Sequence, residues 1–227
     1  YKFTLMYKNE VFMKITKKIK DEMLEILETT YKDAKPALIF NNPFELLIAV
    51  ILSAQCTDER VNIVTKRLFP ELNHPAKMLE IGVAKLETLI KDCGLYKSKA
   101  KNLIATCQIL VDRYHGEVPR EFDQLVELPG VGRKTANVVR SVAFDIPAFA
   151  VDTHVERISK RLGFAKRDDN VLTVEKKLCR SIPRNRWNKS HHQFIFFGRY
   201  FCKATNPSCT ECKLFDMCTD PIKNKYL

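Results

Sequence analysis

Lys134 carries an amine that could act as a nucleophile, because it opens the apolar side of a predicted helix. Val138 and Val142 follow it at four-residue intervals and therefore share its face of that helix. A lysine partly desolvated by this stripe, near the positive end of the helix dipole, is suited to forming Schiff bases. A plain contact with phosphate would explain the same lysine, and the local sequence does not decide between the two roles.

Asp152 is the second candidate, and it lies directly before another predicted helix. Thr153 and Glu156 have the spacing of a capping box, while Asp152 could cap the same helix with its own carboxylate. An ionised carboxylate at a helix start can also stabilise a cation that develops nearby. Capping and charge stabilisation both remain open from the local sequence.

Four cysteines are clustered near the end of the chain, in the pattern Cys-x6-Cys-x2-Cys-x5-Cys. They are Cys202, Cys209, Cys212 and Cys218. Four thiols this close together predict a metal site, and thiolate ligands suit either zinc or an iron–sulfur cluster. The spacing favours neither metal strongly. The other cysteines are scattered through apolar or helical stretches and are predicted to be buried small side chains.

The composition predicts an ordinary globular protein with an anionic partner. The 227 residues are 45% apolar and 29% charged, and 38 Lys and Arg against 27 Asp and Glu give a net charge of +11. A charge of this size favours nucleic acid or an anionic membrane surface. The longest apolar run, Leu46–Leu52, is far shorter than the roughly 20 residues that span a bilayer, so an integral membrane protein is excluded.

The first residues of the sequence bear on where the protein works. Residues 1–10 mix charged with apolar side chains and contain no signal-peptide core, so we expect no export. A reducing compartment is therefore expected, in which clustered cysteines bind metal rather than form disulfides.

The segment 128–136, Leu-Pro-Gly-Val-Gly-Arg-Lys-Thr-Ala, connects two predicted helices by a tight turn. The second helix begins just after Gly132, so its free N–H groups and positive dipole end form an anion site that suits a phosphate diester. This arrangement resembles the helix-hairpin-helix DNA-binding motif. A glycine pair alone is a weak signal, whereas the whole string is specific. It predicts DNA contacts at Gly130, Gly132, Arg133 and Thr135.

Helical periodicity runs through nearly the whole chain, and alternating β patterns are almost absent. The fold is therefore predicted to be all-α, with many short helices separated by Pro, Gly or Asn. The predicted helices are Ile15–Leu27, Pro43–Ala54, Val61–Phe69, Ala76–Ile81, Val83–Cys93, Lys97–Tyr114, Glu121–Leu128, Lys134–Phe144, Thr153–Leu162, Leu172–Ile182 and Lys189–Tyr200.

Five stretches of the sequence together resemble endonuclease III. Residues 52–58 read Leu-Ser-Ala-Gln-Cys-Thr-Asp, residues 94–100 read Gly-Leu-Tyr-Lys-Ser-Lys-Ala, and residues 151–155 read Val-Asp-Thr-His-Val. The hairpin string and the cysteine pattern complete the resemblance, which runs from about Asn42 to Cys218. Members of that family are bifunctional DNA glycosylases and abasic-site (AP) lyases that act on oxidised pyrimidines in duplex DNA.

The resemblance implies two domains, with DNA in the cleft between them. Residues 36–146 would form a six-helix domain that contains the hairpin at about 121–144. Residues 13–35 and 147–227 would form a domain with a [4Fe–4S] cluster, whose ligands would be the four clustered cysteines. Residues 1–12 have no counterpart in the resemblance and are expected to be an N-terminal extension, whose order the sequence leaves open.

The resemblance also implies roles for single residues. Lys134 would be the Schiff-base nucleophile and Asp152 the catalytic carboxylate. Gln55 and Leu95 would fill the gap left by a base that is flipped out of the duplex. Lys213 lies among the cysteine ligands and could present its charge to phosphate. The implied enzyme is a monomer of the bacterial nucleoid, or otherwise inside the cell, that cuts the strand 3′ to the abasic site by β-elimination.

Three alternatives remain at the level of the sequence. A non-catalytic DNA-binding protein would use Lys134 only as a phosphate contact, a monofunctional glycosylase would leave the abasic site uncut, and a redox sensor would use the cluster as its switch. The related adenine glycosylases share the cysteine spacing and the aspartate but have no lysine at the hairpin position. His191 and His192 are adjacent on a predicted helix and face different directions, so at most one of them is expected to be functional, and neither as a metal ligand.

Overall fold

The computed structural model describes residues 15–226, and all regular secondary structure in that range is helical. The all-α prediction is therefore confirmed, and no strand occurs among these residues. No helix in the same range is long and apolar enough to cross a bilayer. The predicted N-terminal extension, residues 1–12, lies outside the described residues.

Ten α-helices are found between residues 15 and 226. They are α1 (Lys17–Thr30), α2 (Pro43–Leu52), α3 (Asp58–Leu68), α4 (Pro75–Leu89), α5 (Tyr96–Tyr114), α6 (Phe122–Val126), α7 (Arg133–Ala143), α8 (Thr153–Arg161), α9 (Val171–Ser181) and α10 (Trp187–Phe196). A π-helical turn, Phe197–Phe201, continues α10, and short 3₁₀ turns occupy Arg184–Arg186, Cys209–Glu211 and Pro221–Tyr226.

Local sequence explains how several of these helices begin and bend. Pro43 occupies the first turn of α2, where its missing N–H would have no helical partner anyway, and the Asn42 side chain accepts a hydrogen bond from the Glu45 N–H at 2.8 Å. Gly82 has φ 67° and ψ 174° and kinks α4. Because these angles are not helical, Gly82 separates the two helices that the sequence predicts within the range of α4.

By their contacts, the described residues form two compact units. The hairpin unit comprises Asp33–Asp152 and Pro183–His192, and the cysteine unit comprises the residues up to Lys32, Thr153–Ile182 and the residues from Gln193 on. The domains predicted from the sequence placed all of 147–227 with the cysteines. The contacts instead assign 147–152 and 183–192 to the hairpin unit.

The hairpin unit is built around α2, which is buried from Phe44 to Leu52. This apolar helix packs against α3, α5 and α7. Its side chains join those of the surrounding helices in one hydrophobic core. The loop after α2 and the start of α7 are therefore both attached to the best-packed part of the unit.

The cysteine unit is organised by α8, which packs against α9 and against the π-helical turn. Aromatic pairs fill its interior: Phe164 and Phe194 meet at 5.5 Å between ring centroids, and Phe197 stacks on Phe201 at 5.7 Å. The polar side of α8 is left facing the irregular loop that carries the four clustered cysteines.

We expect Asn42→Ala to lower the free energy of unfolding by about 1 kcal/mol, because the Glu45 N–H loses its cap at the start of a buried helix. Asn42→Ser is the control, since serine is also a good N-cap residue and should restore most of the loss. Urea denaturation measures both variants. Equal losses for alanine and serine would show that the cap is not the source of the stability.

Candidate functional site

Lys134 lies in the first turn of α7, after Gly132 and Arg133. Its side chain is exposed, although it shares a helix face with Val138. Side chains on a helix tilt towards its N-terminus, so those of the first turn extend beyond the packed part of the helix. Lys134 is therefore more open to solvent than the apolar stripe alone suggests.

The N-terminus of α7 is open. Gly132 precedes the helix with extended backbone angles, φ −90° and ψ 177°, and has no side chain with which to cap it. A Cβ added at Gly132 would meet no atom within 4 Å, so the approach to the helix end is unobstructed. Gly130 has φ 81°, a conformation that favours glycine, and it forms the turn between α6 and α7. A helix N-terminus that is open in this way can bind an anion.

Two further side chains lie beside this helix end. The exposed Arg133 guanidinium lies over the Phe122 ring, 4.8 Å from its centroid, and so links α7 to α6. Thr135 is half-buried in the first turn. The four residues of the hairpin that the sequence predicts as DNA contacts therefore surround one open helix N-terminus.

Asp152 directly precedes α8, as predicted, and is half-buried. The segment before it, residues 148–151, is buried but belongs to neither a helix nor a strand. An unpaired buried peptide group is costly, so the backbone of this segment needs partners from elsewhere in the protein.

Three polar side chains from α7 and α10 supply those partners. They are Asn188, whose Oδ1 accepts from the Ala148 N–H at 3.2 Å, Asn137, whose Nδ2 donates to the Phe149 carbonyl at 3.3 Å, and His191, whose Nδ1 donates to the Ala150 carbonyl at 2.8 Å. Three consecutive residues before Asp152 are thus held by side chains rather than by regular secondary structure.

His191 also links the two predicted catalytic residues. Burial lowers the pKa of His191 to about 4, because a charged imidazolium would lose its hydration. The Asp152 carboxylate opposes this shift of the pKa, and the Lys134 ammonium adds to it. The structure therefore places Lys134 and Asp152 within electrostatic range of one buried imidazole, all three in the hairpin unit.

Gln55 and Leu95 occupy two adjacent exposed turns of the same unit. Both have left-handed backbone angles, with φ 53° and 60°, and Leu95 is 57% exposed. Gly94 approaches the Gln55 carbonyl so closely that a Cβ would stand 3.1 Å from the oxygen, which favours glycine there. The structure therefore brings the two predicted gap-filling residues together.

The four clustered cysteines are free thiols in the cysteine unit. Burial, together with the negative charge that the other three sulfurs would carry, raises the pKa of Cys212 to about 11, although a backbone hydrogen bond from Leu214 acts in the opposite direction. The sulfurs of Cys202, Cys209 and Cys218 therefore all lie within electrostatic range of Cys212. A metal would offset this repulsion, because metals bind the thiolate form.

The arrangement of the thiols bears on which metal they could hold. Among residues 15–226, no three or more Cys, His, Asp or Glu side chains are grouped closely enough to hold one metal ion. A zinc ion needs all its thiolate ligands at about 2.3 Å from one centre. In an iron–sulfur cluster each thiolate binds a different iron, so the sulfurs stand further apart. The four thiols are donors that suit either group.

Arg161 connects the two ends of the cysteine loop. Its guanidinium donates to the Lys203 carbonyl at 2.7 Å, to the Ala204 carbonyl at 3.2 Å and to Cys202 Sγ at 3.2 Å. Its own carbonyl accepts from the Thr219 N–H at 3.1 Å. One buried residue thus holds both ends of the loop, on which Lys213 is exposed.

The hairpin and the surrounding helices match a known group of proteins. Residues 48–184 match the HhH-GPD superfamily base excision DNA repair protein family. Endonuclease III of Bacillus subtilis (strain 168) is 52% identical over 200 residues, which cover 88% of this chain and 91% of that relative. The chain belongs to the endonuclease III family. Endonuclease III of Escherichia coli (strain K12) is 49% identical over 203 residues, covering 88% and 95% of the two chains.

Solved structures of endonuclease III share the fold. A trapped covalent intermediate with DNA, an estranged-adenine complex, matches with a TM-score of 0.90 and 52% identity over 93% of this chain and 100% of that one. A non-covalent complex with DNA matches with a TM-score of 0.90 and 51% identity over 94% and 100%. The predicted class of helix-hairpin-helix glycosylase fold is therefore confirmed.

Membership of the endonuclease III family also settles the enzyme class. The protein is a DNA glycosylase with lyase activity at abasic sites, and it belongs to base excision repair. The alternatives of a non-catalytic DNA-binding protein and a monofunctional glycosylase are therefore excluded.

Sequence reasoning missed three polar residues of this endonuclease III fold: Asn137, Asn188 and Arg161. Asn137 lies three residues after Lys134 on α7, and a polar residue at a buried helix position is the signal that could have identified it. Asn188 and Arg161 bond to residues 40 and 42 positions away in the chain. No local pattern in a sequence shows such pairs.

In this member of the endonuclease III family, we expect Arg161→Met to lower the free energy of unfolding by about 3 kcal/mol, because buried carbonyl groups and Asp220 lose their cationic partner. Arg167→Met is the matched control, since both arginines contact Asp220, but the Arg161 side chain is 8% exposed and that of Arg167 is 67% exposed. An exposed pair contributes less than about 1 kcal/mol. Chemical denaturation of the two variants measures the difference, and equal losses would contradict the role given to burial.

Proposed function

We propose that this enzyme removes oxidised pyrimidines from duplex DNA through a Schiff base on Lys134 and then cuts the strand 3′ to the abasic site by β-elimination. The observation that carries the proposal is that Lys134 lies at the open N-terminus of α7, while Asn137 of the same helix bonds to the segment that leads to Asp152. Such a reaction requires an amine, a carboxylate and an anion site together. The substrate class comes from the family resemblance.

The open N-terminus of α7 is proposed to bind the phosphate backbone of double-stranded DNA. The N–H groups that follow Gly132 would donate to one phosphate, and the exposed Arg133 guanidinium would neutralise its charge. Gly130 and Thr135 would border the same contact. Lys213, exposed in the cysteine unit, offers a further positive contact, and the net charge of +11 supports an extended polyanionic partner.

Gln55 and Leu95 are proposed to fill the space left by the flipped nucleotide. A base must leave the stack before the enzyme can reach its C1′ atom, and unstacking is easiest for a damaged base. The Gln55 amide can hydrogen-bond to the orphaned base, while Leu95 inserts its apolar side chain between base pairs. Their adjacent turns and the exposure of Leu95 support this role.

The proposed chemistry begins at the sugar. The neutral Lys134 amine attacks C1′, and the damaged base leaves with the electrons of its bond to that carbon. Asp152 stabilises the positive charge that develops on the sugar, or accepts a proton from the amine. The sugar ring opens to a protonated imine, which makes the C2′ proton acidic. Loss of that proton breaks the C3′–O bond, and the phosphate of the downstream strand leaves.

The four clustered cysteines are proposed to hold a [4Fe–4S] cluster. Their thiols are free, and three of the sulfurs lie within electrostatic range of the fourth, as the ligands of one cluster would. When bound, the cluster supplies covalent links that order an irregular loop. Arg161 donates to Cys202 Sγ and to the loop carbonyls, and so shapes the loop around the ligands. The reaction transfers no net electrons, which makes this role structural.

The remaining parts of the proposal concern organisation and place of action. We propose that the hairpin unit is the six-helix domain and the cysteine unit the cluster domain, so that 147–152 and 183–192 belong to the first rather than, as the sequence suggests, to the second. We also propose that the enzyme works as a monomer on DNA inside the cell, in the bacterial nucleoid, as expected for a repair enzyme with bacterial relatives.

We expect Lys134→Gln to abolish strand cleavage and borohydride trapping on DNA with an abasic site, because the amide keeps the side-chain volume but has no nucleophilic amine. Arg133→Gln is the matched control next in the chain, and it should weaken DNA binding while the bound enzyme is still trapped. Gel analysis of covalent enzyme–DNA complexes measures both. Lyase activity above a few per cent in Lys134→Gln would show that another group is the nucleophile.

We expect the purified protein to contain about four irons per chain and no stoichiometric zinc, as a cluster with four thiolate ligands requires. Cys209→Ser should lose most of this iron, whereas Cys179→Ser, elsewhere in the same unit, should retain it. Metal analysis of anaerobically prepared protein is the measurement. One zinc and no iron per chain would contradict the cluster.

A further inference from the structure

Residues 148–151 lead directly to Asp152, so their backbone determines where that carboxylate stands. All four are between 0% and 6% exposed. The segment nevertheless belongs to neither a helix nor a strand, so regular secondary structure does not fix it. The place of Asp152 therefore depends on the polar side chains that bond to this backbone.

His191 makes the shortest of these bonds, from Nδ1 to the Ala150 carbonyl at 2.8 Å. Because a carbonyl can only accept, the proton of the neutral ring must be on Nδ1. Burial lowers the pKa of His191 to about 4, so the ring keeps this neutral form near pH 7. The Phe149 ring meets it edge-on, with 6.0 Å between centroids. The imidazole is thus held in one orientation and in one protonation state.

Asn137 makes the neighbouring bond from the helix that carries Lys134. It lies about one turn after Lys134 on α7 and is 4% exposed. Its Nδ2 donates to the Phe149 carbonyl at 3.3 Å. This bond connects α7, which carries the Lys134 amine, directly to the segment that leads to the Asp152 carboxylate.

We propose that His191 and Asn137 are positioning residues, which hold the Asp152 carboxylate in place relative to the Lys134 amine through the backbone of residues 148–151. The inference rests on the proposed roles of Lys134 and Asp152. Misplacing a reacting group by about 1 Å can slow a reaction about 100-fold. The proposed DNA contacts lie at the start of α7 and on the exposed turns, so these residues affect the rate rather than the affinity.

Substitutions at two adjacent positions of α10 test this role. His191→Leu removes the donor at a similar volume, whereas His191→Asn keeps it, because the asparagine Nδ2 takes the place of the imidazole Nδ1. Ser190→Ala is the matched control, since Ser190 is fully buried on the same helix and its hydroxyl has no hydrogen-bond partner among the described residues.

The rate of base release is measured in a single turnover, on a duplex with one oxidised thymine and with enzyme in excess. We expect a loss of about 100-fold for His191→Leu and of less than about fivefold for His191→Asn and Ser190→Ala. Affinity for the duplex should stay within about threefold of the native value in all three variants. A native rate for folded His191→Leu, or an equally slow His191→Asn, would overturn the proposal.

Combining His191→Leu with Asp152→Asn separates positioning from a general loss of structure. If His191 acts through the carboxylate, His191→Leu should slow the Asp152→Asn enzyme by less than about threefold, since no carboxylate is left to position. A full additional loss of about 100-fold in that background would mean that His191 acts independently of Asp152, which contradicts the proposal.

Asn137→Ala covers the case in which His191→Leu does not fold. We expect it to slow base release about tenfold, and this loss should also shrink in the Asp152→Asn background. A native rate for Asn137→Ala would then overturn the proposal. Failure of the proposed function is recognisable separately, because borohydride would not trap the native enzyme on DNA at all.

Discussion

A buried segment without regular secondary structure has to find partners for its peptide groups, and this constraint shapes the hairpin unit around Asp152. Each unpaired group costs about 1 to 3 kcal/mol, a large share of the stability of an ordinary domain. Residues 148–150 meet the constraint with side chains from α7 and α10. The packing of α7 and α10 therefore also determines the position of the Asp152 carboxylate, and α7 carries Lys134.

The helices differ in whether the side chain of the preceding residue caps their N-terminus. The first N–H groups of α1, α2, α3, α4 and α9 are bonded by a side chain of the preceding residue. By contrast, the residues before α5, α6 and α7 make no such bond with their side chains. Of these helices, α5 begins just after Leu95 and α7 begins just after the hairpin turn, where the proposed DNA contacts lie. The N-termini of α5 and α7 keep the capacity to bind anions, at the cost of the stability that a cap contributes.

The loop of the cysteine unit has little regular secondary structure to hold it. A buried cation holds its ends instead: the Arg161 guanidinium bonds to successive loop carbonyls and to Asp220. A buried arginine is tolerated only when nearly all its donors are used, which makes the loop conformation specific. The close thiols repel one another as thiolates, so the same loop is stabilised further when metal binds them.

The sequence by itself determined the all-α class, most helix positions and the family, because periodicity, capping residues and the hairpin and cysteine motifs are all short-range patterns. Only the tertiary structure decided that Lys134 is exposed, since a first-turn side chain extends past the packed stripe that the periodicity suggested. Packing alone also decided which side chains hold residues 148–150. Asn188 and His191 lie about forty positions away from their partners, and hydrogen bonds between helices and a buried segment leave no pattern along the chain.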